Sequence, residues 1–362
     1  MQRYATPRSA DKETRLHMAT TIREIAKLAG VSPSTVSRVL NRKGNISKQT
    51  QSRVISVARS LGYPVPSDRS KAEGAMAAGT VAIVYNRRLS PLVTDPFYGA
   101  VVAGIEEGLQ ELGYRVFLRS IDSANGHTGL FEQDSSGNHN DGLLLVGCDA
   151  SLDIVSEAKK RDIPVVLVDN ESKEGRVDCI VSDNEAAAKK AMQHLYALGH
   201  RKIGFIGGPQ SHVSLAQRYK GYVSTLQGFG IDFRKRWVVF AESVETHGPE
   251  IGYEGTHKLM DGPESPTAIF ADNDMTALGA LKALHEKGIK VPEEVSVIGF
   301  DNIEVSAHTH PPLTTMHIPK MQMGSLAARR LVDLICDKDV APIKTVVYAT
   351  LILRDSAAHL CI

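Results

Sequence analysis

The chain has 362 residues, with 42 Lys and Arg against 41 Asp and Glu, 42% hydrophobic residues and four cysteines. Two or three domains are expected at that length, and the ordinary balance of apolar and charged residues excludes a disordered or fibrous chain. No run approaches the roughly 18 apolar residues of a membrane span, residues 1–17 lack a signal core, and Cys148, Cys179, Cys336 and Cys361 form no metal or disulfide motif, so a reduced cytoplasmic protein is expected.

The near-neutral total hides an asymmetry. Residues 1–73 hold 14 Lys and Arg but only 5 Asp and Glu, and the remainder is net acidic. A basic head on an acidic body points to a nucleic-acid contact. Thr21-Ile22-Arg23-Glu24 has the form of a capping box. Ile22, Ile25, Ala26 and Ala29 follow at helical spacing, and Gly30 closes the helix where a left-handed residue is needed. Val31 fills the corner, Ser32 is an N-cap and Pro33 opens a second helix. Val36, Val39 and Leu40 face one side of it; Ser34, Ser37, Arg38 and Asn41 face the other. A third helix is predicted from Ser47 or Lys48, with Val54, Ile55, Ala58 and Leu61 inward and Gly62 as its stop. This is the helix-turn-helix layout, with the second helix free to enter a major groove.

The stretch Ala29-Gly30-Val31-Ser32-Pro33-Ser34-Thr35-Val36-Ser37-Arg38-Val39-Leu40-Asn41 resembles the helix-turn-helix of the lactose-repressor (LacI/GalR) family of bacterial regulators. The resemblance implies a DNA-binding domain over residues 18–64, with Met18 near where the family's chains begin and residues 1–17 as a disordered N-terminal extension or a mis-called start. It places Pro33, Ser34 and Arg38 at base-reading positions and Ser32, Thr35, Ser37 and Asn41 near phosphates. The Arg38 fork suits a guanine edge. Pro33 offers only shape or apolar contact.

Residues 65–79 read as a hinge or linker, with prolines followed by small and charged residues. Family members carry an Asn-x-x-Ala-Arg-x-Leu hinge helix there, whose Leu wedges the minor groove open. This chain has Pro66 at the Asn position and Ala72 at the wedge, so bending by an apolar wedge is not expected.

From Thr80 the pattern alternates between apolar strands and helices. Strands are predicted at Val81–Tyr85, Val116–Leu118, Gly142–Val146, Pro164–Val168, Ile203–Ile206, Ala268–Phe270 and Val295–Phe300, and helices at Phe97–Leu112, Glu185–Leu198, Arg218–Gln227 and Met275–Lys287. Such apolar strands belong to parallel sheets covered on both faces, and their number, too great for one compact sheet, suits two lobes. Ligands bind such sheets at the carboxyl ends of the strands. The fold class expected is therefore an all-α helix-turn-helix head plus an α/β two-lobed body of two parallel, doubly wound sheets.

Asp95-Pro96-Phe97-Tyr98-Gly99, Leu198-Gly199-His200-Arg201-Lys202-Ile203, Gln217-Arg218-Tyr219-Lys220-Gly221-Tyr222, Ala271-Asp272-Asn273-Asp274-Met275, Val297-Ile298-Gly299-Phe300-Asp301-Asn302 and Pro311-Pro312-Leu313-Thr314-Thr315 resemble the effector domain of the same family, which has the periplasmic-binding-protein fold. The resemblance implies an effector-binding and dimerisation domain over residues 80–356 and a tail at 357–362. It places lobe crossings near 181–183, 316–319 and 342–345. Residues 125–140 depart from it, because Gly126, Gly129 and Gly137 interrupt the amphipathic helix that the family has there.

The resemblance also implies a ligand site of Arg218, Asn273 and Asp301, whose donors and acceptors suit a polyol. Phe97 and Tyr98 stand at aromatic positions, and His212, Ser214 and His247 at variable ones. His308, His310 and His317 lack companions for a metal site. Gly204 to Gly208 lacks dinucleotide spacing. No cofactor, catalytic group or enzyme activity is expected. The function expected is a sequence-specific transcription regulator, a repressor in preference to an activator. It is expected to be homodimeric on a pseudo-palindromic operator and controlled by a small molecule, a carbohydrate or a relative of one. The alternatives are a global regulator with a phosphocarrier protein as co-repressor and, less favoured, a solute-binding protein.

Overall fold

The computed structural model describes residues 22–40, 46–60, 79–86, 95–121, 130–131, 140–147, 152–172, 176–243 and 247–360. The chain divides into two units, Met1–Met76 and Ala77–Ile362.

The first unit holds helices α1 (Ile22–Ala29), α2 (Pro33–Leu40) and α3 (Lys48–Ser60). Ile25, Ala26, Ala29, Val36, Val39, Val54 and Ala58 form their common core. Gly30 adopts φ +61°, and the Val31 amide returns to the Ala26 carbonyl at 3.0 Å. The left-handed turn thus closes α1 and aims the chain into α2. Ser47 caps α3, its Oγ accepting from the Thr50 amide at 3.3 Å. The Thr21–Glu24 capping box, the Leu40 side chain, Asn41, Leu61, the linker through residue 78 and most of 125–140 lie outside the described residues.

In the second unit, lobe 1 comprises β1 (Gly79–Asn86), α4 (Pro96–Glu111), β2 (Tyr114–Ile121), β3 (Gly142–Val146), α5 (Leu152–Lys160), β4 (Val165–Val168) and β5 (Asp178–Ser182). Lobe 2 follows with α6 (Asn184–Ala197), β6 (Ile203–Gly207), α7 (Val213–Gly228), β7 (Val238–Phe240), α8 (Pro249–Met260), β8 (Ala268–Ala271), α9 (Asp274–Glu286), β9 (Ser296–Asp301) and β10 (Thr314–His317). The chain returns to lobe 1 for α10 (Lys320–Cys336) and β11 (Lys344–Val347), then gives lobe 2 its last strand, β12 (Thr350–Ile352).

The sheet orders are β11-β5-β4-β3-β1-β2 and β12-β10-β9-β8-β6-β7. The strand pairs are parallel except β10–β12, which is antiparallel. The central strands are buried along their whole length, as their unbroken apolar runs require. Strands β5, β7, β10, β11 and β12 escaped the sequence reading. They are short, and four of them contain polar or exposed positions that blur the apolar run.

One expectation needs correction. Residues 342–345 are not the third crossing, because Lys344–Val347 pair with Cys179–Ser182 inside lobe 1, and the chain crosses at 347–350. Two crossings are bonded to each other there. The Asp183 amide donates to the Val347 carbonyl at 3.1 Å, and the Ala349 amide to Asp183 Oδ1 at 2.7 Å. Residues 357–360, set aside as part of a tail, are fastened to lobe 2: the Leu360 amide donates to the Leu198 carbonyl at 2.9 Å, and the Ala358 amide to Ser296 Oγ at 3.1 Å.

Helices α4 and α10 pack closely on lobe 1. Gly104 lies against the Met321 carbonyl, and Gly324 against that of Val101. A Cβ at either position would overlap backbone, which has no rotamer by which to yield. Gly104→Ala is expected to destabilise the protein by about 1–3 kcal/mol, read as a lowered denaturant midpoint. An unchanged midpoint would show that the two helices have room to separate.

Candidate functional site

In the head, the Ser32 Oγ accepts from the Thr35 amide at 3.1 Å, the expected N-cap. It also lies 2.8 Å from Ser34 Oγ and 2.8 Å from Thr35 Oγ1. Ser32, Pro33, Ser34 and Arg38 are exposed, while Thr35 and Ser37 are half-buried. Ser34 and Arg38, four residues apart, share one helix face. The head therefore offers hydroxyls at the start of α2 and a guanidinium one turn on, with Val36 and Val39 anchoring the opposite face in the core.

In the body, the polar groups gather where the strands of both sheets end. Asp169 follows β4, Asp272 follows β8 and Asp301 ends β9. Arg218, on α7 and 3% exposed, is the central donor. Its Nε donates to Asn184 Oδ1 at 2.9 Å and its Nη1 to the Asp272 carbonyl at 2.6 Å. Its guanidinium lies 3.9 Å from the centre of the Phe300 ring. Its Nη2 stands 3.1 Å from Asp301 Oδ1, yet that oxygen is buried and makes no hydrogen bond. The two groups are adjacent without a well-directed bond between them.

Contacts within lobe 1 and between the lobes meet beside this pair. The Tyr98 hydroxyl donates to Asp169 Oδ2 at 3.0 Å and lies 3.5 Å from His212 Nε2. Ser214 Oγ donates to Asp169 Oδ1 at 2.8 Å, and Gln217 Nε2 to Glu171 Oε1 at 3.0 Å. Asp95 caps α4, its Oδ1 accepting from the Phe97 and Tyr98 amides at 2.8 and 3.0 Å, and so fixes where Tyr98 stands. Phe97 belongs to the lobe 1 core and meets Tyr98 edge-on. Tyr98 is the member of the pair that reaches the polar cluster.

Asn273 Oδ1 accepts from the Thr276 amide at 2.7 Å as the cap of α9, which leaves its Nδ2 3.4 Å from His247 Nε2. His247 Nε2 in turn lies 2.9 Å from Asp272 Oδ1. The predicted residues thus converge, and Asp95, Asp169, Asn184, Asp272 and Asp274 join them. The sequence reading did not single out Asp169 or Asp272, although their position just beyond an apolar strand is a signal that could have found them.

Electrostatics divides the acids. Burial works against a charge on His247, but the Asp272 carboxylate outweighs it and raises the imidazole pKa. Asp272 is itself desolvated, yet His247, the Gly208 amide and Arg218 hold it below the usual value. Asp301 goes the other way. Burial pushes it up to about 8, Asp274 and Asp169 add to the rise, and Arg218 and Lys320 oppose it. Burial also lifts Asp274 to about 6. His247 and Asp272 thus compensate each other, while Asp301 keeps its proton to higher pH beside the Arg218 guanidinium. Among the described residues no group of His, Cys, Asp and Glu is placed to hold a metal ion, and no helix is long and apolar enough to cross a membrane.

Residues 21–66 match the bacterial regulatory proteins of the lacI family, and residues 192–357 match a periplasmic binding protein-like domain. The chain is 31% identical over 348 residues to the HTH-type transcriptional repressor PurR of Mannheimia succiniciproducens, covering 93% of this chain and 98% of that protein. It is likewise 31% identical over 350 residues to the HTH-type transcriptional repressor CytR of Escherichia coli K12, covering 96% and 99%. Among solved structures it resembles the transcriptional regulator CelR in complex with cellobiose, at 30% identity and a TM-score of 0.69 over 93% of this chain and 99% of that one.

The raised Asp301 pKa has a thermodynamic consequence. A carboxyl whose folded pKa of about 8 exceeds the usual 3.8 binds its proton more tightly folded than unfolded. Its contribution to stability is complete below the unfolded value and is lost as pH rises through the folded one. The denaturant midpoint is therefore expected to fall progressively between about pH 4 and pH 8 and to level off above that, and Asp301→Asn to flatten that decline. A wild-type slope that persists in Asp301→Asn would assign the titration to another group.

Proposed function

The chain belongs to the LacI family of bacterial regulatory proteins and is a DNA-binding transcriptional regulator; from that premise we propose that it is a cytoplasmic, homodimeric repressor whose operator affinity is set by an uncharged polyhydroxylated ligand, a sugar or a nucleoside, held between the two lobes. The observation that carries this reading is Asp301. Its Oδ1 is buried at the cleft without a hydrogen bond, beside a guanidinium that faces it without bonding to it. A ligand hydroxyl supplies the missing donor to the carboxyl, and its oxygen accepts from Arg218. An anionic ligand would meet the Asp272 carboxylate and an Arg218 whose Nε and Nη1 are already committed to Asn184 and the Asp272 carbonyl, so sugar phosphates and sugar acids are disfavoured. A protein co-repressor is the less favoured alternative, since it would leave this oxygen unused.

In the closed arrangement the ligand would add its own bonds to those already joining Tyr98, His212, Ser214 and Asp169 across the lobes. It shifts operator affinity only through its differential affinity for open and closed forms. On DNA, Arg38 reads a base edge from the face it shares with Ser34, and the hydroxyls of Ser32 and Thr35 stand near a phosphate at the start of α2. Ser37 and Asn41 complete that set. In the cleft, Tyr98, Ser214, Arg218 and Asp301 contact the ligand, His212 and Asn273 border it through their partners, and Phe97 supports Tyr98 from the core.

Thermal unfolding of the full chain against cellobiose, ribose, nucleosides and their phosphates tests the ligand class. A neutral compound is expected to raise the transition with concentration, and Asp301→Ala to abolish that rise while operator binding persists. A shift produced by phosphates alone would overturn the neutral-ligand reading. For the head, Arg38→Ala is expected to weaken binding to a genomically selected operator by about 1–3 kcal/mol, with the thermal response to ligand retained. Unaltered operator affinity would remove Arg38 from the reading face.

A further inference from the structure

The turn that carries Asp301 is itself held in an unusual shape. Asp301 and Asn302 both have positive φ, +105° and +52°, a region that residues with a Cβ seldom adopt and that persists only where the surroundings hold it. Several of those surroundings come from lobe 2. Arg354 Nη2 donates to Asn302 Oδ1 at 2.7 Å, Asn302 Nδ2 lies 3.1 Å from His317 Nδ1, and the Ile303 amide donates to Asp274 Oδ2 at 2.9 Å. Lys320 differs from these in where it is mounted. It is the first residue of α10, a lobe 1 helix, and it ends the 317–320 crossing. Its Nζ donates to the carbonyls of Asp301 at 2.5 Å, Asn302 at 3.1 Å and Ile318 at 3.4 Å.

We propose that Lys320 is a positioning residue that ties the Asp301–Asn302 turn of lobe 2 to the lobe crossing, so that rotation of the lobes and the shape of the ligand-facing turn change together. This rests on the reading of the cleft as the effector site and specifies how that site is regulated. Rotation about the crossings moves the first turn of α10 relative to β9 and so stretches or releases the ammonium-to-carbonyl bonds. Once those bonds go, no hydrogen bond from lobe 1 among the described residues holds the two residues at positive φ, and Asp301 is free to turn from the cleft. In the other direction, a ligand that holds Asp301 keeps both carbonyls aimed at Lys320 and favours closure. The chain of contacts continues through α10 to α4, whose backbones touch at Gly104 and Gly324. Helix α4 carries Tyr98, on the opposite wall of the cleft. The Asp301 and Asp274 carboxyls attract the ammonium and oppose the loss of charge that burial favours.

Hydrogen–deuterium exchange on the full-length protein tests this without operator or effector. In Lys320→Met, amides of residues 301–304 are expected to exchange about tenfold faster. The other two crossings, 182–184 and 347–350, which Lys320 does not touch, are expected to exchange faster as well, while Lys320→Arg stays near wild type. If Lys320→Met does not fold, Lys320→Gln, which keeps one donor, is expected to give intermediate rates at the same places. Faster exchange confined to 301–304 would make Lys320 a local prop and overturn the coupling. Wild-type rates throughout would overturn the role altogether. Because neither DNA nor ligand enters the measurement, either failure leaves the regulator reading standing, and a failed ligand panel leaves this one testable.

Discussion

A parallel β-strand delivers its carboxyl end, and whatever residue follows it, to one edge of its sheet. Much of the body of this protein depends on that constraint. Asp169, Asp183, Asp272 and Asp301 all stand at or just beyond the end of a strand, so two sheets facing each other through three crossings bring acids from distant sequence positions together. Asp183 is spent on the crossings themselves, holding Ala349. The other three line the cleft, where every like charge raises the cost of the next. Arg218 cannot satisfy them all, and its hydrogen bonds go to Asn184 and the Asp272 carbonyl.

The consequence is an incompletely compensated site. His247 and Asp272 satisfy each other, Asp169 is taken up by Tyr98 and Ser214, and Asp301 alone among the three keeps a buried oxygen without a hydrogen bond. Burying a polar atom unpaired costs about 1–3 kcal/mol. A ligand that supplies the bond recovers that cost, which gives closure around a ligand an advantage over closure around none. The bonds already spanning the lobes make closure possible; the unfilled one makes it selective.

Rigid and movable parts are arranged to suit. The contact of α4 with α10 is made at backbone by glycines, so those helices move as one body. The crossings are short and tied by single bonds between Asp183, Val347 and Ala349. A change in lobe angle is thus concentrated at three narrow places, and Lys320 lies at one of them. Hinge residues in such proteins absorb the dihedral change while packed elements stay intact.

The sequence by itself determined the helix-turn-helix, from Ile25, Ala26 and Val36 at helical spacing with Gly30 between them, because those signals are local. It determined the two-lobed α/β body through apolar runs long enough to specify buried parallel strands, and it brought Tyr98, Ser214, Arg218 and Asp301 into one site by resemblance. Other features only the tertiary structure decided. The third crossing lies at 347–350 because Lys344–Val347 pair with a strand more than 160 residues earlier, and no local pattern records such a partner. That Phe97 belongs to the core while Tyr98 reaches the cleft follows from how α4 is seated on its sheet. The state of Asp301 depends on the distance and direction of Arg218, Asp274 and Lys320. Those are properties of three-dimensional placement, since a carboxyl reads the same in sequence whether its bond is made or missing.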